Sequence, residues 1–173
     1  MSDQRERDNR KILYKNKIAT SGFALLAMTA RKGQNMPILT ERFNLSTKGF
    51  TDILDITKQV KQILEKYSPE DAQVMVYVAG STASITTVEY EPGLLKDIPE
   101  AFEIIAPINK TYHHDKTWHD GNGFSHVRAS IIGNSKSFPV KNQELVLGTW
   151  QQIVLIDFDN KPRTRCVYVQ IIY

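Results

Sequence analysis

From residue 38 onward the apolar positions recur with two spacings, and each spacing predicts an element. In residues 40–55 (TERFNLSTKGFTDILD) Phe43 and Leu45, then Phe50 and Ile53, flank a Lys48-Gly49 break, which predicts two short strands or one bent strand. Thr57 is a candidate N-cap. After it Val60, Ile63, Leu64 and Tyr67 fall at helical spacing, with Lys58, Gln59, Lys61, Gln62 and Lys66 toward water, so an amphipathic helix should run up to Ser68-Pro69. Residues 72–79 (AQVMVYVA) form a nearly continuous apolar run that suits a central strand ending at Gly80. Residues 85–91 (ITTVEYE) alternate again and place Ile85, Thr87, Glu89 and Glu91 on one face, where two carboxylates fit a solvated edge or a site equally well.

Pro92-Gly93 reads as a turn, and Leu94, Leu95, Ile98, Phe102 and Ile105 mark a helix broken early by Pro99. Residues 125–132 (SHVRASII) predict a short helix with His126 in its first turn, Asn122 or Ser125 as cap and Gly133 as stop. Residues 137–140, 144–147, 151–158 and 163–172 are all β-like. The turn residues Asp159, Asn160, Lys161 and Pro162 predict a long antiparallel hairpin from the last two. Its first arm is apolar on both faces (Ile153 and Leu155 against Val154 and Ile156), which assigns one face to the core and the other to a subunit partner. Strands outnumber helices, so the fold class is α+β: a mainly antiparallel, sandwich-like sheet domain with two or three helices.

A chain of 173 residues can bury one sizeable core, which predicts a single domain over residues 38–173 behind a basic N-terminal extension, residues 1–37. That extension holds eight Lys/Arg against three Asp/Glu, leaving 14 basic and 16 acidic residues for the remainder. The domain itself therefore lacks the basic stripe that nucleic-acid binding needs, and no nucleic-acid partner is expected. No apolar run approaches the roughly 18 residues of a membrane span, and residues 18–30, although preceded by basic residues, are interrupted by Thr20, Ser21 and Gly22. A cytoplasmic protein without membrane contact is the expectation. The single Cys166 rules out an internal disulfide and reads as a small buried apolar residue of a reducing compartment.

The chemistry-bearing residues concentrate in residues 113–133 (HHDKTWHDGNGFSHVRASIIG). All four histidines (His113, His114, His119 and His126) lie here among Asp115, Asp120 and Asn122, with Arg128 following. An imidazole binds a divalent ion or moves a proton near neutral pH, and neighbouring carboxylates orient the ring. His114 and His126, with His119 or an acid such as Asp115 or Glu89, make a candidate divalent-metal set with one position open. The spacing matches no compact ligand motif, and solvated loop histidines are the competing reading, favoured for His113. A phosphate-bearing ligand is the second expectation: Gly80-Ser81-Thr82 offers amides and hydroxyls after a strand, and Arg128 offers a forked donor. Arg163 and Arg165, two apart on one strand face, fit an anion or intersubunit ion pairs equally.

Five ordered stretches resemble the YjbQ-like family: TKGFTDILDIT (residues 47–57), GSTASITTVEYEPGL (80–94), HDKTWHDGNGFSHVRASIIG (114–133), FPV (138–140) and LGTWQQIVLIDFDNKPRTR (147–165). The resemblance implies a compact α+β homotrimer with its site near subunit boundaries, and a secondary thiamine-phosphate synthase activity. It places His114 and His126 in the polar site, with Ser81, Thr82, Glu89, Asn122, Arg128, Thr149 and Gln151 around them. Members of the family often carry histidine where this chain has Gly80, so a three-histidine set built on that position is not available, and His119 or His113 would have to supply the third nitrogen. Phe124 also stands where some relatives are polar. The implied reaction is a transferase step joining a pyrimidine pyrophosphate to a thiazole phosphate. His114, His126, Glu89 and Arg128 would be catalytic, Ser81, Thr82, Asn122, Thr149, Gln151 and Arg165 substrate-binding, and His114, His119 and His126 ligands of zinc or magnesium, with no organic cofactor. The alternative is a non-catalytic trimeric protein that holds a metal or small anion.

Overall fold

The computed structural model describes residues 36–173; the predicted basic extension lies outside the described residues except for its last two. The alternation in residues 40–55 resolves into two strands that join different sheets. β1 (Ile38–Thr47) packs Leu39, Phe43 and Leu45 against the core and leaves Thr40, Arg42 and Asn44 open, a period of two. The chain then reverses at Gly49, Phe50 and Thr51, whose φ values are 78°, 53° and 69°. Gly49 is needed there, because a Cβ would stand 2.5 Å from the Asp159 carbonyl oxygen. β2 (Asp52–Asp55) follows.

The remaining strands are β3 (Asp71–Val78), β4 (Ala83–Val88), β5 (Ser135–Lys141), β6 (Glu144–Leu145), β7 (Gln152–Asp157) and β8 (Arg163–Ile172). One sheet runs β1-β8-β3-β5-β6 and a second β2-β7-β4, with every pairing antiparallel. The expected hairpin of the last two strands does not form. β7 pairs β2 and β4 while β8 pairs β1 and β3, so the turn at residues 158–162 carries the chain from one sheet to the other. Turn residues identify a reversal but not whether the two arms share a sheet.

Between the sheets lies the main core, built from alternate residues: Val74, Val76 and Val78 of β3, Val167, Val169 and Ile171 of β8, Ile85 of β4, Ile153 and Leu155 of β7. The helix α1 (Thr57–Tyr67) closes it with Val60, Ile63 and Leu64. Thr57 is not the cap. Ile56 holds the cap position, Asp55 Oδ1 accepts the Thr57 amide at 2.8 Å, and the Thr57 hydroxyl accepts the Ile153 amide at 2.8 Å, tying the helix start to β7.

The helices α2 (Leu94–Ile105), α3 (His113–Trp118) and α4 (Gly123–Ile132) make four helices with α1 among the described residues, against the two or three expected. α2 continues through Pro99 rather than breaking at it, and Glu91, expected in a strand, instead accepts the Gly93 and Leu94 amides ahead of the helix. The second face of β7, assigned from sequence to a subunit partner, is covered within the chain. Val154, Ile156 and Phe158 pack with Ile53 of β2, Phe102 of α2 and Ala129 of α4. No described helix is long and apolar enough to cross a membrane.

Candidate functional site

α3 and α4 are joined by a tight connection that brings the histidine stretch back on itself. His119 adopts φ 57° at the end of α3, Asp115 Oδ1 accepts the Gly123 amide at 2.9 Å, and a Cβ on Gly123 would stand 2.4 Å from Tyr112 Cβ. The result sets the His114 and His126 rings 4.4 Å apart, centroid to centroid, at 45°. His114 Nε2 is 3.5 Å from Asp120 Oδ1. The buried Asn122 amide, oriented to satisfy its neighbours, points its nitrogen at His114 Nε2 and at both Asp120 oxygens, each at 3.2 Å. His114 Nε2 therefore faces a donor and an acceptor at once: neutral, it accepts from Asn122; protonated, it donates to Asp120. Burial, and then the neighbouring His114, hold the His126 pKa below the usual imidazole value.

Behind this pair lies a charge network at the crossing between the sheets. Asp157 Oδ1 and Oδ2 accept Arg165 Nη2 and Nε at 2.6 and 2.7 Å, and Oδ2 also accepts the Thr47 hydroxyl. Asp159 Oδ2 accepts Thr82 Oγ1 at 3.0 Å and Arg163 Nε at 2.7 Å. Burial alone would raise the Asp159 pKa, but the bonds from Arg163 and Thr82 outweigh it and the net direction is down. Asn160, next in the chain, donates its side-chain amide to the Asp120 carbonyl at 2.7 Å, so the network anchors the histidine loop. An open cleft of about 570 Å³ adjoins it, lined by Gly80, Ser81, Ala83, His126, Val127 and Ser130 among others.

Of the residues singled out from sequence, His114, His126 and Asn122 come together, with Ser81 exposed on the wall of the cleft that His126 lines. Thr82 and Arg165 lie in the buried network, where they bond each other at 2.8 Å. The others do not join the group. His119 and His113 are exposed, and among the described residues no three His, Cys, Asp or Glu groups converge as a metal site requires, so the His114, His119 and His126 set is not assembled within the chain. Arg128, only 1% exposed, turns inward: its guanidinium donates to the Ala106 carbonyl, Thr51 Oγ1 and Glu103 and lies over Phe102 and Phe124. Residues two apart on a helix point to different sides, so Arg128 cannot share the face of His126. Phe124 is likewise core.

Glu89, Thr149 and Gln151 sit at the other end of the three-stranded sheet. Gln151 bonds Thr87 at 2.9 Å and the Gly148 amide at 2.9 Å, and Glu89 lines a separate hollow with Asp55, Trp150 and Gln152. The six residues of β4 separate that end from Ser81 and Thr82 by about 20 Å. Sequence reasoning undervalued Asp120, and it read Asp159 and Asn160 only as turn formers. The available signal was two acids and two arginines (Asp157, Asp159, Arg163 and Arg165) at alternate positions beside a β run.

These features define an α+β protein with a histidine pair backed by a carboxylate and a side-chain amide beside a small-molecule-sized cleft. The chain belongs to the family described as UPF0047 protein YjbQ-like, whose model matches residues 41–173. It is 41% identical over 126 residues to a UPF0047 protein of Archaeoglobus fulgidus, covering 73% of this chain and 95% of that one. A UPF0047 protein of Methanothermobacter thermautotrophicus is 34% identical over 139 residues, covering 80% and 95% respectively. A crystal structure of a YbjQ-like protein of unknown function from Sulfolobus solfataricus superposes with a TM-score of 0.75 at 33% identity, covering 80% of this chain and 99% of that one.

Proposed function

We propose that the cleft beside His114 and His126 is a catalytic site for transfer between phosphorylated heterocyclic substrates, of the thiamine-phosphate synthase type. The observation that carries this reading is the position of His114 Nε2 between the Asn122 amide and the Asp120 carboxylate, with His126 stacked against the same ring. An imidazole held between a donor and a carboxylate can act as a proton acceptor or donor to a bound substrate. In the step itself the thiazole nitrogen lone pair forms the new C–N bond as the methylene C–O bond to pyrophosphate breaks. Pyrophosphate leaves with that electron pair, and a protonated imidazole neutralises or protonates it. Asp120 and Asn122 orient His114. Arg128 has no part in this, because its donors are taken up inside the fold.

Two further parts of the reading concern assembly and metal. The chain works as a homotrimer in which Glu89, Thr149 and Gln151 of one subunit border the histidine cleft of the next; their separation from the histidines within one chain supports this. His114, His126 and Asp120 are the residues that would hold a zinc or magnesium ion, but within the described residues of one chain they do not converge as a ligand set, and no step is assigned to such an ion. Replacing His126 by alanine should lower thiamine-phosphate formation by about 10²-fold or more while the unfolding midpoint stays in place. Wild-type turnover at a basal level, or an unchanged rate in the variant, would remove the enzyme reading and leave a binding protein. Elemental analysis of the same dialysed samples should find far less than one metal per chain. Stoichiometric metal lost in the variant would mean that a second subunit completes a ligand set.

A further inference from the structure

Arg165 is more than nine-tenths buried, and its three nitrogens have different surroundings. Nε and Nη2 form the forked edge that clasps Asp157, and Nη2 also reaches Thr82 and, at 3.4 Å, Asp159. Nη1 has no partner among the described residues and is not among their fully enclosed unsatisfied atoms, so it is the part of the guanidinium that meets the surface. It does so at Gly80: a Cβ built there would stand 3.1 Å from Nη1. Any side chain at position 80 would cover it. Gly80, Ser81 and His126 line the same cleft.

We propose that Arg165 Nη1, left uncovered by the glycine at position 80, seats one oxygen of a phosphoryl or pyrophosphoryl group, with the Ser81 hydroxyl and His126 available to its other oxygens. The proposal deepens the reading of this cleft as a substrate site and rests on it. The geometry favours a phosphoryl group over a carboxylate. A carboxylate is best held by two parallel N–H donors on one guanidinium edge, and that edge is engaged by Asp157. A single nitrogen just behind the cleft-lining Gly80 suits one corner of a tetrahedral group whose remaining oxygens meet donors on other elements. The clasp by Asp157 also holds the guanidinium in place before the ligand arrives, so no rotamer freedom is lost on binding.

The test is titration of the full-length protein with inorganic pyrophosphate, followed by calorimetry and by ³¹P resonance, for wild type, Gly80→Ala and Ser81→Asp. Wild type should bind, and both variants should bind at least about tenfold more weakly at an unchanged unfolding midpoint. Ser81 is exposed, so Ser81→Asp remains decisive if Gly80→Ala proves poorly folded. Unchanged affinity in a folded Gly80→Ala, or in Ser81→Asp when Gly80→Ala cannot be measured, would overturn the seat. So would failure of wild type to bind pyrophosphate. Binding that depends on Gly80 in a protein without transferase turnover would uphold the seat and overturn only the transferase reading.

Discussion

The two ends of the three-stranded sheet use polar residues in opposite ways. At the end where β7 leaves the sheet, Asp157, Asp159, Thr82 and Arg165 are buried and bonded to one another, and the histidine loop is tied to them through Asn160 and Asp120. At the end where β7 begins, Glu89, Thr149 and Gln151 are exposed, and the bonds of Gln151 reach only its close neighbours Gly148 and Thr87. A buried charge pair is costly to break because the partner left behind has no water to turn to, whereas an exposed polar group loses little. The first end can therefore hold a histidine pair in one geometry, and the second can be altered without harming the fold.

The largest effect should come from Asp157→Ala, which leaves Arg165 buried without its carboxylate. Unfolding free energy should drop by about 3–5 kcal/mol in urea titration, and a loss below about 1 kcal/mol would show that the network is not what supports this end. Arg128→Leu should cost about 2–3 kcal/mol through the stranded Ala106 carbonyl and Thr51 hydroxyl, with turnover per folded molecule unchanged. A selective loss of turnover would return Arg128 to the site.

At the opposite end, Gln151→Ala should change stability by no more than about 0.5 kcal/mol. If the two ends meet between subunits, inactive Gln151→Ala and His126→Ala chains refolded together should regain part of the wild-type rate, since some mixed sites take Gln151 from a His126→Ala chain and His126 from a Gln151→Ala chain. No recovery in mixtures shown to exchange subunits would place the whole site within one chain.

The smallest effect concerns pH. The His126 pKa is lowered by burial and by His114, so below about 6.5 the unfolded chain binds the proton more readily than the folded one. Stability should then be fully present above that pH and decline as pH falls through the depressed value. His126→Gln should flatten this acid limb, and an identical limb in the variant would assign it to other groups.

Much of the fold was legible because periodicity is local. The spacing of Val60, Ile63 and Leu64 marked α1, and the alternation of Val74, Val76 and Val78 marked a central strand. The covering of both faces of β7 was legible as well, but not its cause: two apolar faces require two covers without saying whether helices of the same chain or another subunit supply them. The clustering of His114, Asn122 and His126 within a short stretch made the site visible, since residues that close in sequence have few ways to stay apart. Arg128 was misplaced because a cation near histidines reads as an anion donor until its side of the helix is known. It is a buried cation satisfied by the Ala106 carbonyl and the Glu103 carboxylate, both more than twenty positions away in the chain.

From the residues alone followed α1, the central strand β3, the α+β class, the position of the histidine stretch and the family to which residues 41–173 belong. Only the tertiary structure decided that β7 and β8 enter different sheets, that Asp157 and Asp159 close on Arg163 and Arg165 at the crossing, and that Glu89 and Gln151 stand far from the histidines. The reason is physical. Period and propensity act over a few residues, while sheet partners and buried ion pairs join residues distant along the chain, and their free energy exists only once the whole core has closed around them.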